Sequence, residues 1–174
     1  GRHTGLTDLP LTENGKRQAE VLKNRLHRID FTQVFTSPLH RASDTCQLCG
    51  YKATVDLDLI EWNYGKYEGL TTPQIRKKDS RWNLFLSGAP GGEQPEEVGK
   101  RADRFLLKVK NLSGNIAIFS SAHLLRVLAA RFLQLSAAEG RCFFLAPASL
   151  STLSYEHDTP VIILWNDISH LSYK

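Results

Sequence analysis

Strands alternating with amphipathic helices predict an α/β domain with a largely parallel central sheet. Two stretches carry most of that reading. Residues 115–119 (NIAIF) form a short buried strand that runs into a helix over 123–133, apolar on most of its faces. Ahead of it, Pro95 opens a helix in which Val98, Ala102, Phe105, Leu106 and Val109 make one buried stripe. A third observation sets the scale. The chain has 174 residues and no repeat, low-complexity tract or dividing linker, so 1–174 reads as a single domain.

Taken in order, residues 1–10 (GRHTGLTDLP) read as a loop. Thr12 caps a helix to about Arg28 with Ala19, Leu22 and Leu26 on one face. A short strand over 33–36 ends in Ser37-Pro38, a helix start with Ser as cap and Pro at the first position. Residues 53–56 give a second short strand. Thr72-Pro73 opens a short helix, and 82–86 forms another turn. After the two stretches described above, strands over 150–155 and 161–165 join through a turn at 157–160. The helix over 12–28 has no strand before it, although an α/β unit normally begins with one.

Composition narrows the function classes. Hydrophobic residues make up 41% and charged residues 23%, spread along the chain, which argues against disorder and coiled coil. No apolar run approaches the roughly 20 residues needed to span a bilayer, so no membrane role is expected. Three cysteines cannot all pair, which points to a reducing, cytoplasmic setting. The net charge of +4 suits a protein whose pocket prefers anions. The basic residues are dispersed without a nucleic-acid-binding pattern, so no nucleic-acid partner is expected. There is no methionine, which fits removal of an initiator ahead of Gly1, a tag scar, or a start inside a longer protein.

In open α/β sheets ligands bind beyond the carboxyl ends of the strands. Two such ends carry polar chemistry here: Phe35-Thr36-Ser37-Pro38 followed by Arg41, and Phe119-Ser120-Ser121-Ala122-His123 followed by Arg126. A helix N-terminus with an arginine beside it suits phosphate or carboxylate. Either end alone reads rather as a serine cap and a solvated arginine; the two together favour an anion site. Glu61 lies among aromatic residues in 59–65 (LIEWNYG), surroundings that raise a carboxyl pKa and suit it to proton transfer, with Glu68 a competitor and a plain surface Glu the alternative. Cys46 and Cys49 form C-x-x-C, which lacks a second ligand pair for zinc and reads as helix packing. The Gly-rich 88–92 lacks the Lys-Ser/Thr of a nucleotide loop and reads as a turn or lid. No metal or cofactor is expected.

Taken together and in order, these residues resemble the histidine phosphatase superfamily, in the branch of phosphoglycerate mutases and fungal-type sugar bisphosphatases. The resemblance runs over essentially the whole chain: 4–12 (TGLTDLPLT) with Gly15 and Gln18-Ala19; 36–42 (TSPLHRA) with Thr45; 59–69 (LIEWNYGKYEG); Gly91-Gly92-Glu93 with Arg101 and Arg104; and 164–167 (LWND) with His170-Leu171. It implies a three-layer α/β/α, phosphoglycerate mutase-like fold. It also implies a small anionic, sugar phosphate-like ligand, with Arg41 on the phosphate and Glu61 as proton donor. Thr4, Gly5 and Tyr64 would hold the substrate.

Two parts of the family's pattern are missing. The resemblance implies that the strand with the nucleophilic Arg-His-Gly lies before Gly1, so the domain reads as incomplete at its N-terminus. Arg2-His3 mimics that motif but sits about a dozen residues downstream of its place. The family's His-Gly-His reads Ser121-Ala122-His123, with a serine where the phosphate-facing histidine belongs and only the outer histidine kept. Serine carries no charge to stabilise a transferring phosphoryl group. The expectation is therefore a ligand-binding domain whose phosphohistidine chemistry is lost or replaced: a pseudoenzyme, or an enzyme using Glu61, Arg41, Tyr64 and His123 on another anionic substrate. The alternatives are an active phosphomonoesterase with its nucleophile upstream of Gly1, and a non-catalytic binding or scaffold module. A missing central strand would leave two strands without a partner, which a homodimer or strand exchange would supply.

Overall fold

A computed structural model describes residues 1–171. The elements follow as α1 (Glu13–Leu26), β1 (Phe31–Thr36), α2 (His40–Leu48), β2 (Thr54–Val55), α3 (Thr72–Arg76), α4 (Leu84–Ser87), α5 (Pro95–Val109), β3 (Asn115–Phe119), α6 (Ala122–Phe132), β4 (Leu150–Glu156) and β5 (Thr159–Asp167). Single 3-10 turns fill some of the connections. The sequence reading of the elements holds with shifts of one to three residues at their ends.

Local chemistry explains most boundaries. Thr12 caps α1 by accepting from the Gly15 N–H at 3.0 Å. A reciprocal capping box between Thr71 and Gln74 opens α3, and Gln94 with Glu97 does the same for α5. One expectation is corrected: Ser37-Pro38 does not start the second helix. That helix begins at His40, and the His40 N–H donates to Asp8 Oδ1 at 2.8 Å, so the loop at the chain's start supplies the cap. Ser37 instead accepts from the Leu39 N–H at 3.3 Å within the turn.

The sheet confirms the parallel expectation and adds a break. β1 pairs parallel with β2 on one side and β3 on the other, in the order β2-β1-β3. β4 and β5 form a separate antiparallel hairpin. Among the described residues, β3 pairs only with β1 and β4 only with β5. The three-stranded sheet is covered on both faces. Ala117 and Phe119 of β3 pack with Leu22 and Leu26 of α1 and with Cys46 and Cys49 at α2. Ile116 and Ile118, on the alternate face, pack towards Val98, Ala102 and Phe105 of α5 and Leu124 and Val127 of α6. Leu150 of β4 joins the first cluster and Leu153 the second, so the hairpin continues both layers although no ladder connects it to β3.

The C-x-x-C pair behaves as packing. Both thiols are buried, and desolvation pushes them up to about 11 for Cys46 and about 12 for Cys49, away from the thiolate that redox or metal chemistry needs. The Gly88–Gly92 stretch is a tight turn: Gly88 and Gly91 have φ of 59° and 70°, and Lys66 N–H donates to the Pro90 carbonyl at 2.9 Å.

Candidate active site

The site assembles where the loop 1–10, the aromatic segment 59–65 and the start of α6 meet beyond the carboxyl ends of β1 and β3. The 59–65 segment is held from behind by a clamp. Arg101 forms a two-pronged ion pair with Glu93, at 2.6 and 3.0 Å, and its third nitrogen donates to the carbonyls of Asp58 and Ile60 at 2.8 and 2.9 Å. Glu93 in turn accepts from the Asn63 N–H at 2.9 Å, and its carbonyl accepts from the Trp62 indole at 2.9 Å. This fixes Glu61 between two clamped neighbours.

Arg41, the second residue of α2, reaches across to the loop. Its Nε donates to Ser121 Oγ at 2.9 Å, and its terminal nitrogens donate to the carbonyls of Gly5 at 2.6 Å and Thr7 at 3.1 Å. The loop is held from its other side by Glu68, which accepts from the N–H groups of Gly5 and Thr7 at 2.8 and 3.1 Å. The two acidic candidates of the sequence therefore part company: Glu68 is committed to the loop. Gly5 is needed for this approach, because a Cβ there would collide with the Trp62 carbonyl and the Tyr64 ring. Thr4 stands half-buried between His3 and Gly5 in the same loop.

Glu61 is buried and aimed at the start of α6. Its carboxylate accepts from the N–H groups of Trp62 at 2.8 Å, Leu124 at 2.9 Å and His123 at 3.2 Å. A carboxylate in this position is stabilised by the helix dipole. It also fills the helix N-terminus that the sequence reading offered to an external anion, and Ala122, the first residue of α6, presents only a methyl group there. Arg126 is likewise engaged. It donates to the carbonyls of Gly140 and Arg141, each at 3.0 Å, and lies 4.3 Å from the centre of the Phe85 ring.

Tyr64 and His123 form the centre. The Tyr64 hydroxyl lies 2.5 Å from His123 Nδ1. Burial raises the Tyr64 pKa and lowers that of His123, so the phenol keeps its proton and donates it to a neutral ring whose Nε2 carries the other. His3, set aside in the sequence as a mimic of the nucleophile motif, belongs here. Its ring lies 5.2 Å from Tyr64, 5.3 Å from Trp82 and 6.0 Å from His123, and its Nε2 is 2.9 Å from the Thr72 hydroxyl. Desolvation lowers its pKa as well. No pattern around residue 3 signals this contact; it depends on the loop folding back over α3, where Arg2 bridges to Thr71. Of the residues singled out in the sequence, Arg41 bonds Ser121 and Gly5, and both Glu61 and Tyr64 meet His123, with Thr4 and Ala122 next to them in the chain.

Comparison with known proteins places the chain in a family. The family model described as histidine phosphatase superfamily (branch 1) matches residues 1–168. An acid phosphatase of Mycobacterium tuberculosis is 38% identical over 90% of this chain and 80% of its own length. The sedoheptulose 1,7-bisphosphatase of Saccharomyces cerevisiae is 32% identical over 98% of this chain and 75% of its own. Among solved structures, a phosphoserine phosphatase of Entamoeba histolytica in complex with 3-phosphoglyceric acid superimposes with a TM-score of 0.85 at 25% identity, covering 99% of this chain and 91% of that one.

Proposed function

This chain belongs to branch 1 of the histidine phosphatase superfamily, and from that premise we propose that its pocket binds a small phosphorylated, sugar phosphate-like ligand while phosphohistidine chemistry is lost or replaced. One observation carries the reading: Arg41, on the phosphate-facing side, has its Nε on the Ser121 hydroxyl. Where the family resemblance calls for an imidazolium, a neutral group stands. Arg41 can exchange the carbonyls of Gly5 and Thr7 for phosphate oxygens, which accept charge-assisted hydrogen bonds better than an amide does. Phosphoryl transfer, by contrast, depends on positive charge concentrated on the moving group. Ser121 supplies none. Glu61 and His123 remain as a carboxylate and a neutral imidazole 3.9 Å apart, able to pass a proton to or from a bound ligand.

The test is direct. Incubation of the 174-residue chain with labelled sugar phosphates is expected to give no acid-labile protein phosphate. Stoichiometric labelling would refute the reading. Arg41→Gln should abolish what phosphate binding the wild type shows by calorimetry.

A second reading is favoured by the broken sheet. Among the described residues β3 and β4 each leave one edge unpaired while their residues Phe119 and Leu150 share a cluster, an arrangement open to an additional strand. If a segment preceding Gly1 supplied that strand with Arg-His-Gly at its end, the domain would regain a nucleophile and act as a phosphomonoesterase. The coding sequence upstream of Gly1 decides between the two.

A further inference from the structure

Arg41 and Glu68 grip the same two residues of the first loop from opposite polar groups. Glu68 Oε1 accepts from the N–H groups of Gly5 and Thr7. The terminal nitrogens of Arg41 donate to the carbonyls of those same residues. One stretch of backbone therefore separates the guanidinium offered to an anion from a half-buried carboxylate fixed by two donors.

The rest of the centre adds no surplus of positive charge. Two carboxylates, Glu61 and Glu68, and two guanidiniums, Arg41 and Arg126, act on the Tyr64 hydroxyl, and they cancel in number. Arg126 is tied to the Gly140 and Arg141 carbonyls. Desolvation keeps His3 and His123 neutral at pH 7.5, and Ser121, against the Arg41 Nε, carries no charge. At the start of α2, His40 stands between Asp8 and Asp44, and Lys16 of α1 lies within electrostatic reach of Asp44. A singly charged oxyanion is matched by Arg41 alone. A second negative charge meets no further cation there and faces Glu68 across one backbone. We propose that the Arg41 site selects a singly charged tetrahedral oxyanion: a phosphodiester, a sulfate ester, or a phosphate monoester holding one proton. Glu68 is the residue that discriminates against the dianion. The inference rests on the phosphate-binding reading above and deepens it by fixing the charge of the group bound.

Calorimetry with three derivatives of one sugar tests it: glucose 6-phosphate, its methyl diester, and glucose 6-sulfate. The diester and the sulfate keep one charge throughout, so protonation of His3 or His123 acts on all three probes and cancels in their ratios. A phosphate monoester loses its second proton near pH 6, so about 3% is singly charged at pH 7.5 and about half at pH 6.0. The tighter of the two singly charged probes should therefore bind about 30-fold more tightly than the monoester at pH 7.5, and about twofold at pH 6.0. Which of the two it is identifies the ester taken. Glu68→Gln keeps an Oε1 for both loop N–H groups and removes the charge. It should narrow the pH 7.5 gap by about threefold or more while the singly charged probes keep their affinity. A monoester that matches those probes at pH 7.5, or a gap that stays open at pH 6.0, overturns the selection. A gap unchanged in Glu68→Gln, or an equal loss of all three affinities, overturns the role of Glu68. Tight binding of the dianion that is lost in Arg41→Gln overturns this inference and leaves the phosphate-binding reading standing. Binding that survives Arg41→Gln, or failure of all three probes to bind, refutes both.

Discussion

If Glu61 carries a proton as proposed, it has two uses in this site, and they pull on the same atoms. As a buried carboxylate with three backbone N–H donors it holds the start of α6 against the 59–65 segment. As a proton carrier it must face a ligand through His123, 3.9 Å away. Glu61→Gln keeps the shape but replaces a charge by a dipole at a helix N-terminus. It should cost about 1–2 kcal/mol of stability, read as a lowered denaturation midpoint with an unchanged slope. The neighbouring imidazoles give the site a pH dependence with a definite sign. Desolvation lowers the pKa of His3 and His123 below 6.5, more than the attraction of Glu61 raises it. Below about pH 6.5 the unfolded chain then binds more protons than the folded one, so stability falls as the pH drops and is fully present above that value. The thermal midpoint should decline between pH 7 and pH 5.5, and His3→Gln/His123→Gln should flatten the decline. An equally steep decline in the double variant would move the effect to other groups.

Elements are fixed here by side chains that reach out of them. α5 braces the Glu61 segment through Arg101, whose pair with Glu93 is mostly buried at 11% and 20% side-chain exposure. Removing one partner leaves a charge without compensation and frees the carbonyls of Asp58 and Ile60. Arg101→Ala is expected to destabilise the fold by roughly 3 kcal/mol and to weaken ligand binding, because the Glu61 segment loses its backing. At the other end of the range, Thr12→Ala should cost only about 1 kcal/mol, the usual value of an N-cap. Chemical denaturation of the two variants checks the ordering. Parity between them would mean that the clamp contributes little. The α2 start shows why such caps escape a sequence reading. Ser37-Pro38 carries the local signature, yet the cap comes from Asp8, which lies 32 positions away in the sequence.

For the whole molecule, the consequence lies in the edges of β3 and β4. Both strands carry apolar residues into the two clusters, and among the described residues both leave one edge unpaired. Exposed strand edges of this kind pair readily with another chain. Light scattering of the purified 174-residue chain should therefore give the mass of a dimer. A compact monomer at the same concentration would count against pairing through these edges.

Periodicity and cap chemistry depend on neighbours three or four residues apart. For that reason the helices of α1 and α5, the strand of β3 and the parallel sheet were legible in the chain itself. The motif residues were legible too: Arg41 and Ser121-Ala122-His123 at two strand ends meet, and Glu61 and Tyr64 of the aromatic 59–65 loop reach His123. What the sequence left open was the partner of each polar group, because that is set by residues brought together from distant parts of the chain. Folding back the first ten residues decided that Glu68 holds the loop, that His3 joins Tyr64 and His123, and that Arg41 spends its donors on Gly5, Thr7 and Ser121. The grip on Gly5 and Thr7 is the clearest case. Arg41 and Glu68 share no motif, and only the folding of the first loop against both brings their opposite charges to one stretch of backbone.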